Sequence, residues 1–93
     1  MIGSFADRKT EAFYRSQICP SVWRSSEAAA ARKLDMLAAA VKLFDLRSPP
    51  ANRLEKLRGN RDGQWSIRIN DQWRVCFRWT GFGAEQVEIV DYH

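Results

Sequence analysis

The chain has 93 residues, 45% hydrophobic and 28% charged, with 15 Lys and Arg against 11 Asp and Glu for a net charge of +4. That length excludes two full domains and fits one, residues 1–93, able to bury a core without obligatory staples. One histidine is too few for an ordinary zinc site, and the longest mostly apolar stretch, Met36 to Leu46, is too short to cross a bilayer and carries Lys42 and Asp45.

Ile2 to Phe5 can form a short strand, with Ser4 or Asp7 capping the next segment. The opening residues lack a leader's hydrophobic run and cleavage site, so a cytoplasmic location is expected, with Cys19 and Cys76 as free thiols. Arg8 to Gln17 reads as a first helix, broken at Cys19-Pro20-Ser21. A second helix then starts from Ser21, Ser25 or Ser26. Its stripe is Trp23, Ala30, Leu34, Leu37, Val41 and Phe44, interrupted by Glu27, and Ser48-Pro49-Pro50 ends it.

After Pro50 the pattern turns to strands. Arg53 to Arg58 is a candidate strand, followed by a turn over Gly59 to Gly63. In the strand Gln64 to Ile69, Trp65, Ile67 and Ile69 alternate with Ser66 and Arg68. Asn70-Asp71 connects it to Trp73–Trp79, where Trp73, Val75, Phe77 and Trp79 alternate with Arg74, Cys76 and Arg78. A last strand, Glu85 to Val90, puts Val87 and Ile89 on one side. The fold class is therefore α+β: a short N-terminal strand and two helices packed on one face of a C-terminal antiparallel sheet.

Charge is concentrated in this half. Arg47 to Arg78 holds eight bases (Arg47, Arg53, Lys56, Arg58, Arg61, Arg68, Arg74, Arg78) and three acids (Glu55, Asp62, Asp71), a net of +5. If Trp65, Ile67, Ile69, Val75 and Phe77 face the helices, parity puts Arg68, Arg74 and Arg78 together on the opposite face, with Lys56, Arg58 and Arg61 near its end. Such a surface suits a polyanion such as nucleic acid. Ion pairs with Glu55, Asp62, Asp71, Glu85 or Glu88 would account for the same residues as ordinary solubilising surface. The closing Asp91-Tyr92-His93 sets a carboxylate, a phenol and an imidazole in a row. Beside several guanidinium groups these would make a metal-independent phosphodiester-cleaving site, His93 moving a proton and Tyr92 stacking on a base. A solvated, frayed chain end is the plainer alternative.

Several words of the sequence resemble those of HigB-like toxins of the RelE/ParE superfamily, the toxic half of type II toxin–antitoxin modules. They are Ile2-Gly3-Ser4-Phe5-Ala6-Asp7, Arg32-Lys33-Leu34-Asp35-Met36-Leu37, Pro49 to Leu57, Trp65 to Phe77 and Val90-Asp91-Tyr92-His93. The resemblance implies a RelE-like fold and a ribosome-dependent mRNA endonuclease acting in the decoding site without metal or cofactor. It also implies attack of a ribose 2′-hydroxyl on the scissile phosphate and neutralisation by a HigA-like helix-turn-helix antitoxin. By the same resemblance Arg58 takes the place of a lysine, Arg74 is the arginine after the sheet tryptophan, and Asp91, Tyr92 and His93 are the terminal catalytic triplet. Lys56, Arg61, Arg68, Asn70 and Arg78 are the expected RNA contacts, Asn70 sharing strand parity with Arg68. Two alternatives remain open: a ParE-like gyrase-targeting toxin, or a non-catalytic basic module that binds nucleic acid or an antitoxin. The stretch Ser21 to Ala31 is richer in alanine and longer than the resemblance leads one to expect.

Overall fold

The computed structural model describes residues Met1–Asp91; the terminal pair Tyr92 and His93 lies outside the described residues. Helix α1, Arg8–Ser16, starts where the Asp7 carboxylate accepts from the Thr10 amide at 2.7 Å. It ends at Gln17, whose φ of +54° is left-handed. Ser21–Ser26 is a 3₁₀ turn leading into α2, Glu27–Ala39.

The second helix is therefore shorter than its apolar stripe suggests. Ala40 is extended, its amide shared between the carbonyls of Met36 and Leu37. Beyond it the Asp45 carboxylate accepts from the Val41 and Lys42 amides at 3.0 and 2.9 Å, so a side chain takes the donors a continuing helix would use. The chain re-forms as a 3₁₀ turn, Leu43–Arg47, which buries Leu46 and leaves Val41 80% and Phe44 53% exposed. These two members of the expected stripe are thus surface residues.

The sheet is an antiparallel meander in the order β1 (Glu55–Lys56), β2 (Trp65–Arg68), β3 (Trp73–Thr80), β4 (Gly83–Asp91). The first strand is two residues long, because Arg53 turns left-handed (φ +47°) before it and Gly59 (φ +64°) begins a 3₁₀ turn after it. Ile2 and Phe5 pair in parallel with Ala84 and Val87 as isolated bridges, so the expected N-terminal strand is present only as two contacts on the β4 edge. Gly83, with φ +136°, opens β4 directly under the Met1 carbonyl, where any Cβ would collide.

One face of the sheet meets the helices. Ile67, Val75, Phe77, Ala84 and Val87 are fully buried there against Ala30, Leu34 and Leu37. Trp23 sits between Phe13 and Trp73, edge to face, with ring centroids 5.8 and 6.3 Å away. Ala84 and Val87 both face inward at a spacing of three because β4 carries a bulge: Cys76 pairs with Glu88 and Arg78 with Glu85, leaving two residues opposite Phe77. Gln86 absorbs the extra residue at φ +52°.

Candidate functional site

Of the three sheet arginines, Arg68 and Arg74 stand side by side, while Arg78 lies further along β3. Arg68 and Arg74 are direct cross-strand partners, and Ser66 faces Cys76 in the next row. This second face is not simply solvated, however. The segment from Arg53 to Arg61 folds along it, leaving Ser66 and Cys76 fully buried and Arg74 only 5% exposed.

Arg74 is held on two edges. Its Nε donates to Ser66 Oγ at 2.8 Å and its Nη2 to the Arg53 carbonyl at 2.7 Å. The left-handed Arg53 aims that carbonyl, following the 3₁₀ turn Pro50–Asn52. The turn is itself fastened by buried Asn52, whose amide donates to the Leu46 carbonyl at 3.1 Å and accepts from Lys33 Nζ at 2.5 Å. Burial is the main reason the Lys33 ammonium titrates below its ordinary range, with repulsion from Arg32 and Arg68 adding to it.

Two depressions adjoin on this face. Arg53, Glu55, Arg68, Asn70, Asp71 and Arg74 line one of about 330 Å³. Glu55, Lys56, Leu57, Arg58 and Arg61 line the other, of about 410 Å³. Glu55 lines both, and across this pair of depressions, together called the cleft, six bases outnumber the acids Glu55 and Asp71. A larger depression of about 620 Å³ between α1 and α2 is lined by Arg24 against Glu27 and Asp35 and has no such excess. Positive potential therefore belongs to the sheet cleft.

The expected site residues divide by geometry. Arg58, Lys56, Arg61, Arg68, Asn70 and Arg74 all line the cleft. The register pairs Lys56 with Trp65 and Glu55 with Ser66, so Glu55, not Lys56, shares the row of Ser66 and Cys76. Arg61 Nη1 donates to Glu88 at 2.6 Å and Gln64 at 3.1 Å, and the Glu88 bond pushes its pKa up. Arg68 is ion-paired with Asp71, whose side chain is almost wholly exposed. Asn70 is occupied by the fold: its oxygen accepts from the Gln72 and Trp73 amides and its nitrogen donates to Ser26 Oγ. Arg78 lies beyond the cleft lining, donating to Gln86 at 3.3 Å. Asp91 pairs with Trp73, which puts it in register with the helix-bearing face rather than with Arg74, and it accepts from Gln72 at 3.1 Å. Tyr92 and His93 fall outside the described residues.

Three contributors escaped the pattern of the sequence. Ser66 is an ordinary alternating residue until its hydroxyl is seen on Arg74, and Arg53 acts through a carbonyl that no side-chain pattern reports. Glu55 counts as an ion-pair partner by sequence, yet it stands where the two depressions meet. Burial raises the pKa of Cys76, beside Ser66 in the register, so the thiol stays protonated near neutrality.

Two helices on one face of a four-stranded antiparallel meander give the chain a RelE-type fold. Two solved structures share it: a YoeB–YefM complex from Staphylococcus aureus (TM-score 0.55, 18% identity, covering 100% of this chain and 98% of that one) and a YoeB/ParE toxin from Agrobacterium tumefaciens (TM-score 0.51, 21% identity, 97% and 96%). A family model described as "RelE-like toxin of type II toxin-antitoxin system HigB" matches residues 3–93, and the chain belongs to that HigB-like toxin family. Toxin HigB-1 of Vibrio cholerae serotype O1 is 47% identical over 79 residues, 81% of this chain and 80% of that protein. Endoribonuclease HigB of Proteus vulgaris is 37% identical over 41 residues, 44% of this chain and 45% of that one.

Proposed function

We propose that this toxin is a ribosome-dependent endoribonuclease that cuts mRNA in the decoding site, acting in the cytoplasm and held inactive by a HigA-like helix-turn-helix antitoxin. The observation that carries the reading is Arg74: a guanidinium nearly buried in a sheet face, fixed by Ser66 and Arg53, in a cleft with an excess of bases. A buried, oriented cation is suited to stabilising charge that develops on a phosphate. The similarity to an endoribonuclease HigB over part of the chain supports the same chemistry.

In the proposed step the ribose 2′-oxygen forms a bond to the adjacent phosphorus and the bond from phosphorus to the 5′-oxygen breaks. The 2′-hydroxyl proton leaves to a base and the departing 5′-oxygen gains one from an acid. The products are a 2′,3′-cyclic phosphate and a 5′-hydroxyl. Arg74 and Arg58 bind the phosphate, and Arg68, Lys56 and Arg61 hold the flanking backbone. His93 transfers a proton and Tyr92 orients a base, roles that rest on the resemblance of the terminal triplet alone. Asp91, which accepts from Gln72, is assigned the role of orienting its neighbours in the triplet.

Incubating the purified protein with ribosomes carrying a defined mRNA, then mapping RNA ends, tests this. Cuts at codon-phased positions with cyclic phosphate ends are expected. Intact RNA together with DNA breaks in expressing cells would instead indicate gyrase poisoning, and neither kind of break would indicate a non-catalytic binding module.

A further inference from the structure

The turn Leu43–Arg47 has a second use. In a 3₁₀ turn side chains three apart eclipse one another, so Leu43 and Leu46 fall on one side and Phe44 and Arg47 on the other. Leu46 anchors the turn in the core. Phe44 is left 53% exposed, with the Arg47 guanidinium 4.1 Å from its ring centre and the Trp65 ring edge-on at 6.2 Å. Arg47 is itself exposed. Three exposed cations, Lys42, Arg47 and Lys56, stand against two exposed acids: Asp45, whose carboxylate already accepts two backbone amides, and Glu55, next to Lys56 in β1.

We infer that this Trp65–Phe44–Arg47 cluster is a platform for one unpaired base of an RNA chain, with Lys42 and Lys56 on its phosphates. Guanidinium planes and aromatic rings are the usual seats for splayed bases. Charge complementarity favours RNA over an apolar protein partner. So does continuity: Lys56 pairs with Trp65 and also lines the cleft, so a strand leaving the cleft over β1 arrives at Arg47. The inference rests on the cleft being an RNA site, and it adds a stacking contact outside the scissile linkage.

The test is a fluorescence titration, at low salt, of a ten-nucleotide single-stranded RNA bearing 2-aminopurine. The proteins are the wild type, Phe44→Leu, Phe44→Trp, Arg47→Lys and Arg74→Ala, each checked for unchanged melting. Base stacking predicts strong quenching by the wild type. Phe44→Leu should bind about five- to tenfold more weakly and lose the quench. Arg47→Lys, which keeps the charge but not the plane, should also lose it, and Phe44→Trp should restore it. Unchanged quenching and affinity in Phe44→Leu and Arg47→Lys, with binding lost in Arg74→Ala, would overturn the platform and leave the cleft standing. If those two variants instead bind RNA normally but fail to retain the antitoxin, the surface is a protein contact and the inference is wrong. RNA binding by none of the proteins would remove the cleft reading and the platform with it.

Discussion

Arg74 joins a packing role that the structure shows to the chemical role proposed for it. Its charge could be supplied by lysine; its geometry could not, because Nε reaches Ser66 while Nη2 reaches the Arg53 carbonyl. Arg74→Lys should therefore lower cleavage by about 10²–10³-fold, close to the loss in Arg74→Ala, as measured by end-labelled transcript on ribosomes. Ser66→Ala leaves the charge but frees one edge of the fork, and a smaller loss of about tenfold is expected. Asn52 offers a purely structural comparison. It is fully buried and serves the Leu46 carbonyl and Lys33 together, so Asn52→Ala should lower stability by about 1–3 kcal/mol in urea melts. The facing of Arg68 and Arg74 was legible from the alternation of β2 and β3. The acceptors that orient Arg74 were not: one is a backbone carbonyl, and the other a serine that alternation alone would leave on a wet surface.

Among the elements, β3 was legible almost to the residue, because its alternating aromatic and β-branched positions match a sheet buried on the helix side. Helix α2 was not. Val41 and Phe44 continue its apolar period, but the period says nothing of Asp45, which captures the amides that would prolong it. Those bonds hold the Asp45 carboxylate below its ordinary pKa. A carboxyl depressed in the folded state contributes stability above its unfolded value, near pH 4, and loses that contribution as pH falls through the folded value. Asp45→Asn should therefore flatten the acid limb of the melting-temperature profile below about pH 4, relative to the wild type. The bulge in β4 was equally hidden, since Gln86 gives no sign of left-handed backbone. Gln86→Gly should stabilise the protein by about 0.5–1 kcal/mol, and Gln86→Val should destabilise it by about 1–2 kcal/mol, both by chemical denaturation.

At the scale of the whole molecule, the α+β order could be foreseen because periodicity changes at Pro50 from helical to alternating, and short connections leave little topological choice. The cleft could be foreseen only in part. Net charge pointed to Arg47 through Arg78, yet Arg61 is tied to Glu88, Arg68 to Asp71 and Asn70 to the turn, partnerships that depend on three-dimensional neighbours. What remains is a cleft whose fixed centre is Arg74 and in which, under the proposed function, Arg61 and Arg68 exchange their carboxylate partners for phosphate. No helix among the described residues is long and apolar enough to cross a membrane, and the basic face is the feature that distinguishes one side of the molecule from the other. The most direct measurement is single-turnover cleavage of a ribosome-bound mRNA by wild type and by Arg74→Lys, with RNA ends identified chemically. The wild type should release a 2′,3′-cyclic phosphate end while the folded variant is slower by at least about a hundredfold. A folded Arg74→Lys protein that cuts at the wild-type rate would contradict the assignment of Arg74 to the reacting phosphate.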